Sequence, residues 1–184
     1  MVFLDIRIEK TERAIKQAFL DLREQKPLEK IKIKELCEKA CINKSTFYAH
    51  YQDIYALANA LEEELISAIL ESLPTVSLYD LRSRTEWLTQ ELFRAFVANQ
   101  KEVRILFSDS RQGNFINCIE QELRKKIEES DPDFANDPVR GVILSFCVQG
   151  CYYTFSNNSE KMDEKELVDL LAAIARAAQN IELK

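Results

Sequence analysis

The chain has 184 residues and a formal net charge of −6 at neutral pH, with hydrophobic residues at 46% and charged residues at 30%. This length suffices for one compact body, or for a small headpiece fused to a larger bundle. No apolar run approaches the roughly 20 residues of a membrane span, and Asp5, Arg7 and Glu9 interrupt any signal-like N-terminus. We therefore expect a soluble, cytoplasmic protein with no membrane partner.

The residues that usually carry catalysis or bind metals are few. The five cysteines form no C-x-x-C pair, and His50 is the only histidine. Cys147 and Cys151 lie one helical turn apart, but no histidine or acidic cluster stands near them, so small core residues are the favoured interpretation. There is no glycine-rich phosphate loop and no G-x-S-x-G motif. We expect no cofactor, no metal and no enzymatic activity.

The charges are distributed unevenly along the chain. Residues 1–56 hold eleven Lys or Arg against nine Asp or Glu, whereas the remainder holds fourteen against twenty-two. Between Lys26 and His50 there are six lysines and three glutamates. A local basic patch on an acidic body favours a single docking face for a polyanion.

Only three glycines and four prolines interrupt the chain, which predicts long helices. The first helix has Thr11 as its predicted N-cap and Pro27 beyond its end. Its apolar residues recur at helical spacing: Ala14, Ile15, Ala18, Phe19 and Leu22. This spacing predicts a helix that packs one face into a core.

Two short helices follow, predicted at Lys34 to Ala40 and Lys44 to Tyr51, with Asn43 as the N-cap of the second. Ala40 is small where the two helices must approach one another. This arrangement is typical of a helix-turn-helix, which indicates DNA binding. A fourth helix is predicted from about Asp53 to Leu73, with its charged triplet Glu62 to Glu64 facing water.

Beyond Pro74 the sequence predicts five more helices: Leu78 to Asn99, Glu102 to Ser108, Phe115 to Glu129, Val139 to Ser156, and Glu164 to Ile181. The fourth of these is apolar on most sides and is expected to be buried on most sides. No strand pattern is found. The predicted class is all-α, with a headpiece over residues 1–55, a linking helix over about 53–73, and a helical-bundle body over 74–184.

Residues Arg13 to Leu61 resemble the headpiece of the TetR family of transcriptional regulators. The resemblance is carried by the first helix with Ala18 and Phe19, the Leu36-Cys37-x-x-Ala40 spacing, the run Lys44-x-Thr46-Phe47-Tyr48-x-His50-Tyr51, and the leucine-rich fourth helix. It implies an all-helical homodimer, in which the headpiece binds double-stranded operator DNA and the body binds a small-molecule effector. The effector alters the spacing of the two headpieces, and the expected action is repression.

Three positions depart from the family pattern. Cys41 stands where the family usually has glycine, so either a non-glycine residue adopts a left-handed conformation, at roughly 1 to 2 kcal/mol, or the turn differs. Ile54 replaces a frequent lysine at the start of the fourth helix, and Lys32 replaces a threonine before the second. The resemblance then implies that a phosphate contact is made from a different position in this chain and is not lost.

Helical geometry selects the residues that would read DNA. With Phe47 as the buried anchor, a rotation of 100° per residue brings Tyr51 to the same side and places Ser45, Thr46, Tyr48 and Ala49 outward, toward the groove. The predicted phosphate contacts are Lys32, Lys34, Lys44 and His50. The alternative for each lysine is an ordinary solvated side chain.

A specific DNA site needs more surface than one headpiece offers, so a homodimer on a roughly palindromic operator is expected. The last two long helices are the predicted interface, and they would form a four-helix bundle across a two-fold axis. The candidate residues are Ile143, Phe146, Cys147, Gly150, Leu167, Leu170, Leu171, Ile174 and Ala178. The alternative is that these residues complete the core of the monomer.

The effector pocket is predicted from aromatic residues of the body: Trp87, Phe93, Phe96, Phe107, Phe115 and Tyr152. Packing is the alternative for each of them. Arg104 and Arg111 could meet an anionic ligand, or pair with Glu102 or Asp109. The alternative function is a helical regulator whose body mainly binds a protein partner and whose headpiece is weak or vestigial.

Overall fold

The computed structural model describes residues 2–73, 81–111 and 113–180. Within these ranges the chain forms α-helices and short 3₁₀ turns and contains no β-strand, which confirms the all-α prediction for this part of the protein. None of the described helices has the length and apolar character needed to cross a membrane. The α-helices are α1 (Val2–Arg23), α2 (Ile33–Lys39), α3 (Lys44–His50), α4 (Ile54–Glu71), α5 (Leu81–Ala98), α6 (Gln100–Leu106), α7 (Asn114–Ser130), α8 (Pro138–Asn158) and α9 (Glu164–Gln179).

The starts of α3 and α4 are set by polar N-caps. Asn43 Oδ1 accepts the backbone N–H of Thr46 at 2.8 Å, which confirms the predicted cap of α3. Asp53 Oδ1 accepts the backbone N–H groups of Tyr55 and Ala56 at 2.9 and 2.8 Å. Both caps satisfy amides that have no partner inside the first turn of a helix.

The first helix begins earlier than the sequence predicted. Thr11, the predicted N-cap, lies within α1, because no proline or glycine precedes it to end a helix. At two other places the prediction reaches beyond the described residues. These are the predicted start at Leu78, since α5 is described from Leu81, and the predicted end at Ile181, since α9 ends at Gln179.

The chain divides into two compact units. The headpiece unit contains the described residues up to Leu65 together with Lys101–Arg111, and the body unit contains Ile66–Gln100 and the described residues from Gly113 onward. The predicted division near residue 74 assigned α6 to the body. In the structure nearly all of α6 belongs to the headpiece unit.

Two arginines attach the segment after α6 to the rest of the headpiece unit. The buried guanidinium of Arg23 donates to Ser108 Oγ at 2.5 Å and to the Asp109 carboxylate at 3.3 Å. Arg111 donates to both carboxylate oxygens of Glu62. Glu62 is only 5% exposed, which corrects the prediction that its charged triplet faces water. A buried carboxylate needs such a paired partner, because its isolated burial would be costly.

In the body unit, α9 packs against α5 and α8, and α8 packs against α7. Its buried cluster comes from α5, α8 and α9: Phe93, Cys151, Phe155, Leu167, Leu171 and Ala175. Phe93 and Phe155 have ring centroids 4.8 Å apart. This core holds α5 and α8 in place, and both of these helices line the cavity described below.

Candidate functional site

The corner between α2 and α3 is a Schellman turn. Ala40 ends α2, Cys41 has φ of 55°, and Ile42 donates its backbone N–H to the carbonyl of Cys37 at 3.0 Å. Cys41 donates to the carbonyl of Glu38 at 3.3 Å. These two hydrogen bonds are the ones that define the motif. Of the two alternatives for Cys41, the structure therefore has the left-handed non-glycine residue.

The inner side of α3 is anchored by two aromatic rings. Phe47 is fully buried, and the ring of the half-buried Tyr51 lies 6.0 Å from it, centroid to centroid. The Tyr51 hydroxyl donates to Glu12 of α1 at 3.5 Å. Burial, with a further contribution from the Glu12 carboxylate, raises the pKa of Tyr51 to about 12. The hydroxyl therefore remains a protonated donor, which helps to orient α3 on α1.

The outer side of α3 carries the four residues that helical geometry predicted to face outward. Tyr48 is 55% exposed, Ser45 and Ala49 are exposed, and Thr46 is half-buried. The hydroxyls of Ser45 and Thr46 donate to Asn43 Oδ1 at 2.6 and 2.8 Å. The four side chains thus form one continuous outward surface, which we call the α3 face.

The four predicted phosphate contacts differ in exposure and in the partners that they already have. Lys32 and Lys44 are exposed and have no ion-pair partner among the described residues. Lys34 has only a long pair, 3.8 Å, with Glu38. His50 is half-buried, with its ring 6.3 Å from that of Tyr51. Lys32 and Lys44 are therefore the freest of the predicted phosphate contacts.

Two further exposed residues of the headpiece unit, Tyr55 and Lys30, were not singled out from the sequence. Ile54 is buried, so the first residue of α4 offers nothing to a phosphate, whereas the next residue, Tyr55, is exposed. Lys30 is exposed in the 3₁₀ turn before α2, and no ion pair involves it within the described ranges. The exposure of Tyr55 could have been predicted from the sequence. Tyr55 directly follows Ile54, an apolar residue that faces the core, and successive residues of a helix point in different directions.

The body unit contains a cavity of about 610 Å³ that is partly open to solvent. This volume is in the range that holds a small organic molecule. Four of the predicted effector residues line it: Phe93, Phe96, Phe115 and Tyr152. Trp87 is half-buried and is not part of the lining, and Phe107 is buried in the headpiece unit. Further lining comes from apolar residues at helical spacing on α5 and α7: Leu88, Leu92, Ile116, Ile119, Leu123 and Ile127.

The lining of the cavity is mostly apolar, and its charged residues are Glu71, Lys126, Glu129 and Arg140. Arg140 lies at the wall, but its guanidinium binds Asp131 at 2.8 Å and stacks 4.9 Å from the centre of the Phe134 ring. Burial raises the pKa of the Cys147 thiol and raises that of Cys151 to about 11. Both thiols are therefore protonated at neutral pH and behave as small apolar groups. A largely apolar ligand suits this lining.

The outer side of α8 is exposed and apolar, contrary to the prediction that this helix is buried on most sides. Only Cys151 and Phe155 are buried in it, whereas Val142 is 69% and Phe146 64% exposed. Val142, Phe146 and the exposed Tyr153 fall within about 40° of one another around the helix. A helix that is apolar all round has more apolar surface than the core of one chain covers.

The neighbouring helix α9 has a similar exposed stripe, formed by Leu170 and Ile174. We call the exposed apolar residues of both helices the α8–α9 face: Val142, Phe146, Tyr153, Leu170 and Ile174. A side chain added at Gly150 would meet nothing within 4 Å, so the backbone is open to close approach there. Exposed apolar side chains grouped along one side of a helix, as on α8 and on α9, are typical of an interaction site.

The predicted interface residues divide between this face and the core. Phe146, Leu170 and Ile174 are exposed, and Ile143, Cys147 and Gly150 are half-buried. The prediction has to be corrected for the remaining three, Leu167, Leu171 and Ala178, which are buried. A side chain that is already covered within its own chain has almost no surface left for a partner, so for these three the core alternative applies.

Comparison of the chain with models of protein families gives no match, and no curated protein matches it. Within the described residues, no group of three or more His, Cys, Asp or Glu side chains is placed to hold a metal ion. The candidate sites described above are the α3 face, the cavity and the α8–α9 face.

Proposed function

We propose that this protein is a transcriptional regulator of the TetR type that binds DNA sequence-specifically as a homodimer. It acts by binding rather than by catalysis, represses from a palindromic operator, and responds to a small apolar effector. The observation that carries the proposal is the two-sidedness of α3: Phe47 is fully buried while Tyr48, Ser45 and Ala49 are exposed beside it. A seven-residue helix anchored on one side and free on the other is suited to the major groove.

The cations beside the α3 face support the same proposal. Lys32 and Lys44 are exposed, and no ion pair with another described residue holds either of them. Other lysines of the patch are already engaged, since Lys26 binds Glu35 at 2.5 Å and Lys39 binds Asp21 at 3.0 Å. Lys32 directly precedes α2 and Lys44 begins α3, so these two unpaired charges lie at the starts of the two helices that form the corner, and phosphates would flank a helix in the groove.

The α8–α9 face supports a homodimer. In a single chain it leaves Phe146 64% exposed and Leu170 half exposed. The same apolar residues on a second copy would cover this surface, and a two-fold axis would give each operator half-site one α3. Residues 57–184 carry fourteen Lys or Arg against twenty-two Asp or Glu. Two copies would repel one another through this net negative charge, which would oppose pairing through other surfaces.

The cavity supports control by a small molecule. Its wall includes Ile69, Leu70 and Glu71 at the end of α4, and the same helix contributes residues up to Leu65 to the headpiece unit. A ligand that binds one position of α4 better than another would shift the population of headpiece arrangements. The apolar lining favours an uncharged molecule with one or two rings or a short aliphatic chain.

The decisive experiment is a DNA titration at several salt concentrations. Genomic fragments selected by the purified protein would supply the operator. Three lysines per subunit, Lys32, Lys34 and Lys44, predict about six phosphate contacts in the dimer, and hence a slope of log K against log salt near −5. A slope close to zero would contradict the proposal.

The contribution of the α3 face is tested by Tyr48→Ala. The exposed ring would contact a base or phosphate, so its removal is expected to weaken operator binding by about 1 to 3 kcal/mol. Tyr48→Phe is the matched control, because it retains the ring and removes only the hydroxyl. Helical content by circular dichroism and dimer mass by sedimentation should be unchanged in both variants. Equal affinity of Tyr48→Ala and wild type would refute this assignment.

A second candidate function is a regulator whose body binds a protein partner while the headpiece is vestigial. The α8–α9 face supports this candidate, because an exposed apolar stripe can also bind a different protein. This candidate predicts a monomer in sedimentation together with a salt slope near zero. A dimer with a steep slope would exclude it.

A further inference from the structure

Three hydrogen bonds converge on one atom at the start of α3. Asn43 Oδ1 accepts the backbone N–H of Thr46 at 2.8 Å. The hydroxyl of Ser45 lies 2.6 Å from the same oxygen, and the hydroxyl of Thr46 lies 2.8 Å from it. The side chains that cap the helix and those that form its outer surface are therefore coupled.

The directions of these hydrogen bonds follow from their chemistry. A backbone N–H can only donate, so the Asn43 atom that meets it is the carbonyl oxygen and not the amide nitrogen. A carbonyl oxygen has no proton to give, so the two hydroxyls must both donate to it. Each hydroxyl has one proton, and that proton is now engaged. Only oxygen lone pairs remain for a ligand at Ser45 and Thr46.

We propose that Ser45 and Thr46 read DNA as hydrogen-bond acceptors only, so that the bases they contact are adenine or cytosine. The inference rests on the proposed DNA-binding function and specifies its sequence preference. In the major groove adenine presents its N6 amino group and cytosine its N4 amino group, and both donate. Guanine and thymine present carbonyl oxygens at the equivalent edge, and these accept.

A keto base at the same position would require the hydroxyl to turn around. The hydroxyl would have to give up its hydrogen bond to Asn43 in order to donate to the base. A net neutral hydrogen bond corresponds to roughly a two- to tenfold change in affinity. The amino base should therefore be preferred over the keto base by roughly that factor at each contacted position.

The test starts from operators selected out of random duplex DNA by wild-type protein, Ser45→Ala and Thr46→Val. The base pair at which a variant loses preference marks the contact of the missing hydroxyl. Every base pair carries one amino and one carbonyl group in the major groove, so both can be deleted singly at that pair. Purine in place of adenine, or 2-pyrimidinone in place of cytosine, removes the amino group, and the matching analogue of the opposite base removes the oxygen.

Amino deletion should weaken wild-type binding roughly two- to tenfold more than it weakens Ser45→Ala, since only the wild type loses a contact. Oxygen deletion should weaken both proteins equally. The inference is overturned if oxygen deletion is the one that discriminates between them, or if neither deletion does. Effects on base pairing itself cancel in this comparison, because they are the same for both proteins.

Variants of Asn43 test whether its carbonyl oxygen is the cause of the preference for an amino group. Asn43→Gly removes the acceptor at little cost to the cap and leaves both hydroxyls free to donate, so the amino preference should disappear. Asn43→Asp keeps an acceptor in place, so the preference should persist while overall affinity falls through repulsion of phosphate. Retention of the preference in Asn43→Gly, with an unchanged melting temperature, would overturn the assignment.

The outcomes separate this inference from the proposed function. Selection of no DNA site, with binding insensitive to salt, would remove the proposed function and the inference with it. Selection of a site whose contacted bases are guanine or thymine would overturn the inference alone.

Discussion

Cys41 holds a backbone conformation that disfavours every residue except glycine. Its φ of 55° costs a residue with a Cβ atom about 1 to 2 kcal/mol. The Schellman hydrogen bonds of Ile42 and Cys41 maintain this conformation, and the Cys41 side chain is exposed and contributes nothing to the core. The turn is thus made by the backbone, in spite of the residue at its centre.

Cys41→Gly is therefore expected to stabilise the headpiece unit by about 0.5 to 1 kcal/mol, as relief of strain outweighs the greater chain entropy of glycine. Hydrogen exchange of the α2 and α3 amides would measure the change locally. Ala40→Gly, at φ of −78°, is the matched control and should destabilise instead. The two substitutions would have the same sign if the strain argument were mistaken.

Lys44 is the residue whose charge is best placed to meet a phosphate, because it begins α3 and is exposed without an ion pair among the described residues. Lys44→Gln should make the slope of log K against log salt less negative by about 2, one contact being lost from each subunit. Preferences for individual bases should not change. Lys125→Gln, at an exposed lysine of α7, is the control and should leave the slope as in wild type.

At the scale of elements, α7 and α8 are joined by a polar network around Glu120. Ser145 donates to this carboxylate at 2.5 Å and Gln149 at 2.9 Å, and Arg124 lies 3.5 Å from it. Burial alone would raise the pKa of Glu120, but the hydrogen bonds from Ser145, Gln149 and Arg124 outweigh it, so the pKa is lowered. The charged form of Glu120 therefore holds the two helices together.

The pH dependence follows from the direction of this shift. A carboxylate whose pKa is lower in the folded state contributes stability above its unfolded pKa and loses it as pH falls through the folded value. The wild-type body unit should therefore lose stability below about pH 4.5, the ordinary pKa of a glutamate side chain, and Glu120→Gln should lose less over the same range. Urea unfolding at pH 7 and pH 3 would measure both changes. Glu122→Gln, on the same helix, is the control, and an equal acid response of Glu120→Gln and wild type would exclude this role.

At the scale of the whole molecule, the α8–α9 face is the surface that a single chain leaves uncovered. Phe146→Glu would place a charge at its centre, and burying that charge against a second copy is costly. We expect the variant to sediment as a monomer and to lose most of its operator affinity, because each half-site would be bound alone. Ile8→Glu, at an apolar residue of α1 that is 46% exposed and lies outside the α8–α9 face, is the control. A Phe146→Glu protein that remained dimeric would place the interface elsewhere.

Features set by neighbouring residues could be predicted from the sequence. The Asn43 cap, the short α2 and α3, and the burial of Phe47 with Ser45 and Ala49 exposed on the opposite side all depend on residues within one or two helical turns. Spacing along a helix determines which residues share a side, so the composition of the α3 face could be read from the sequence.

Features that depend on contacts between residues distant in the chain could not be predicted from the sequence. Glu62 is buried because Arg111, 49 residues later, pairs with it. Residues 101–111 belong to the headpiece unit, where Arg23 binds Ser108 and Asp109 across more than 80 residues of chain. Helical periodicity does not predict such pairs, because it relates only residues that are close together in the chain.

The sequence by itself determined that the described chain is helical, that α3 begins at Lys44, and which residues of α3 share a side. Only the tertiary structure decided which apolar surfaces are covered, and so distinguished the buried Leu167 and Leu171 from the exposed Phe146 and Ile174. The reason is physical: helix formation and side-chain direction depend on nearby residues, whereas burial depends on which other helix supplies the opposing surface.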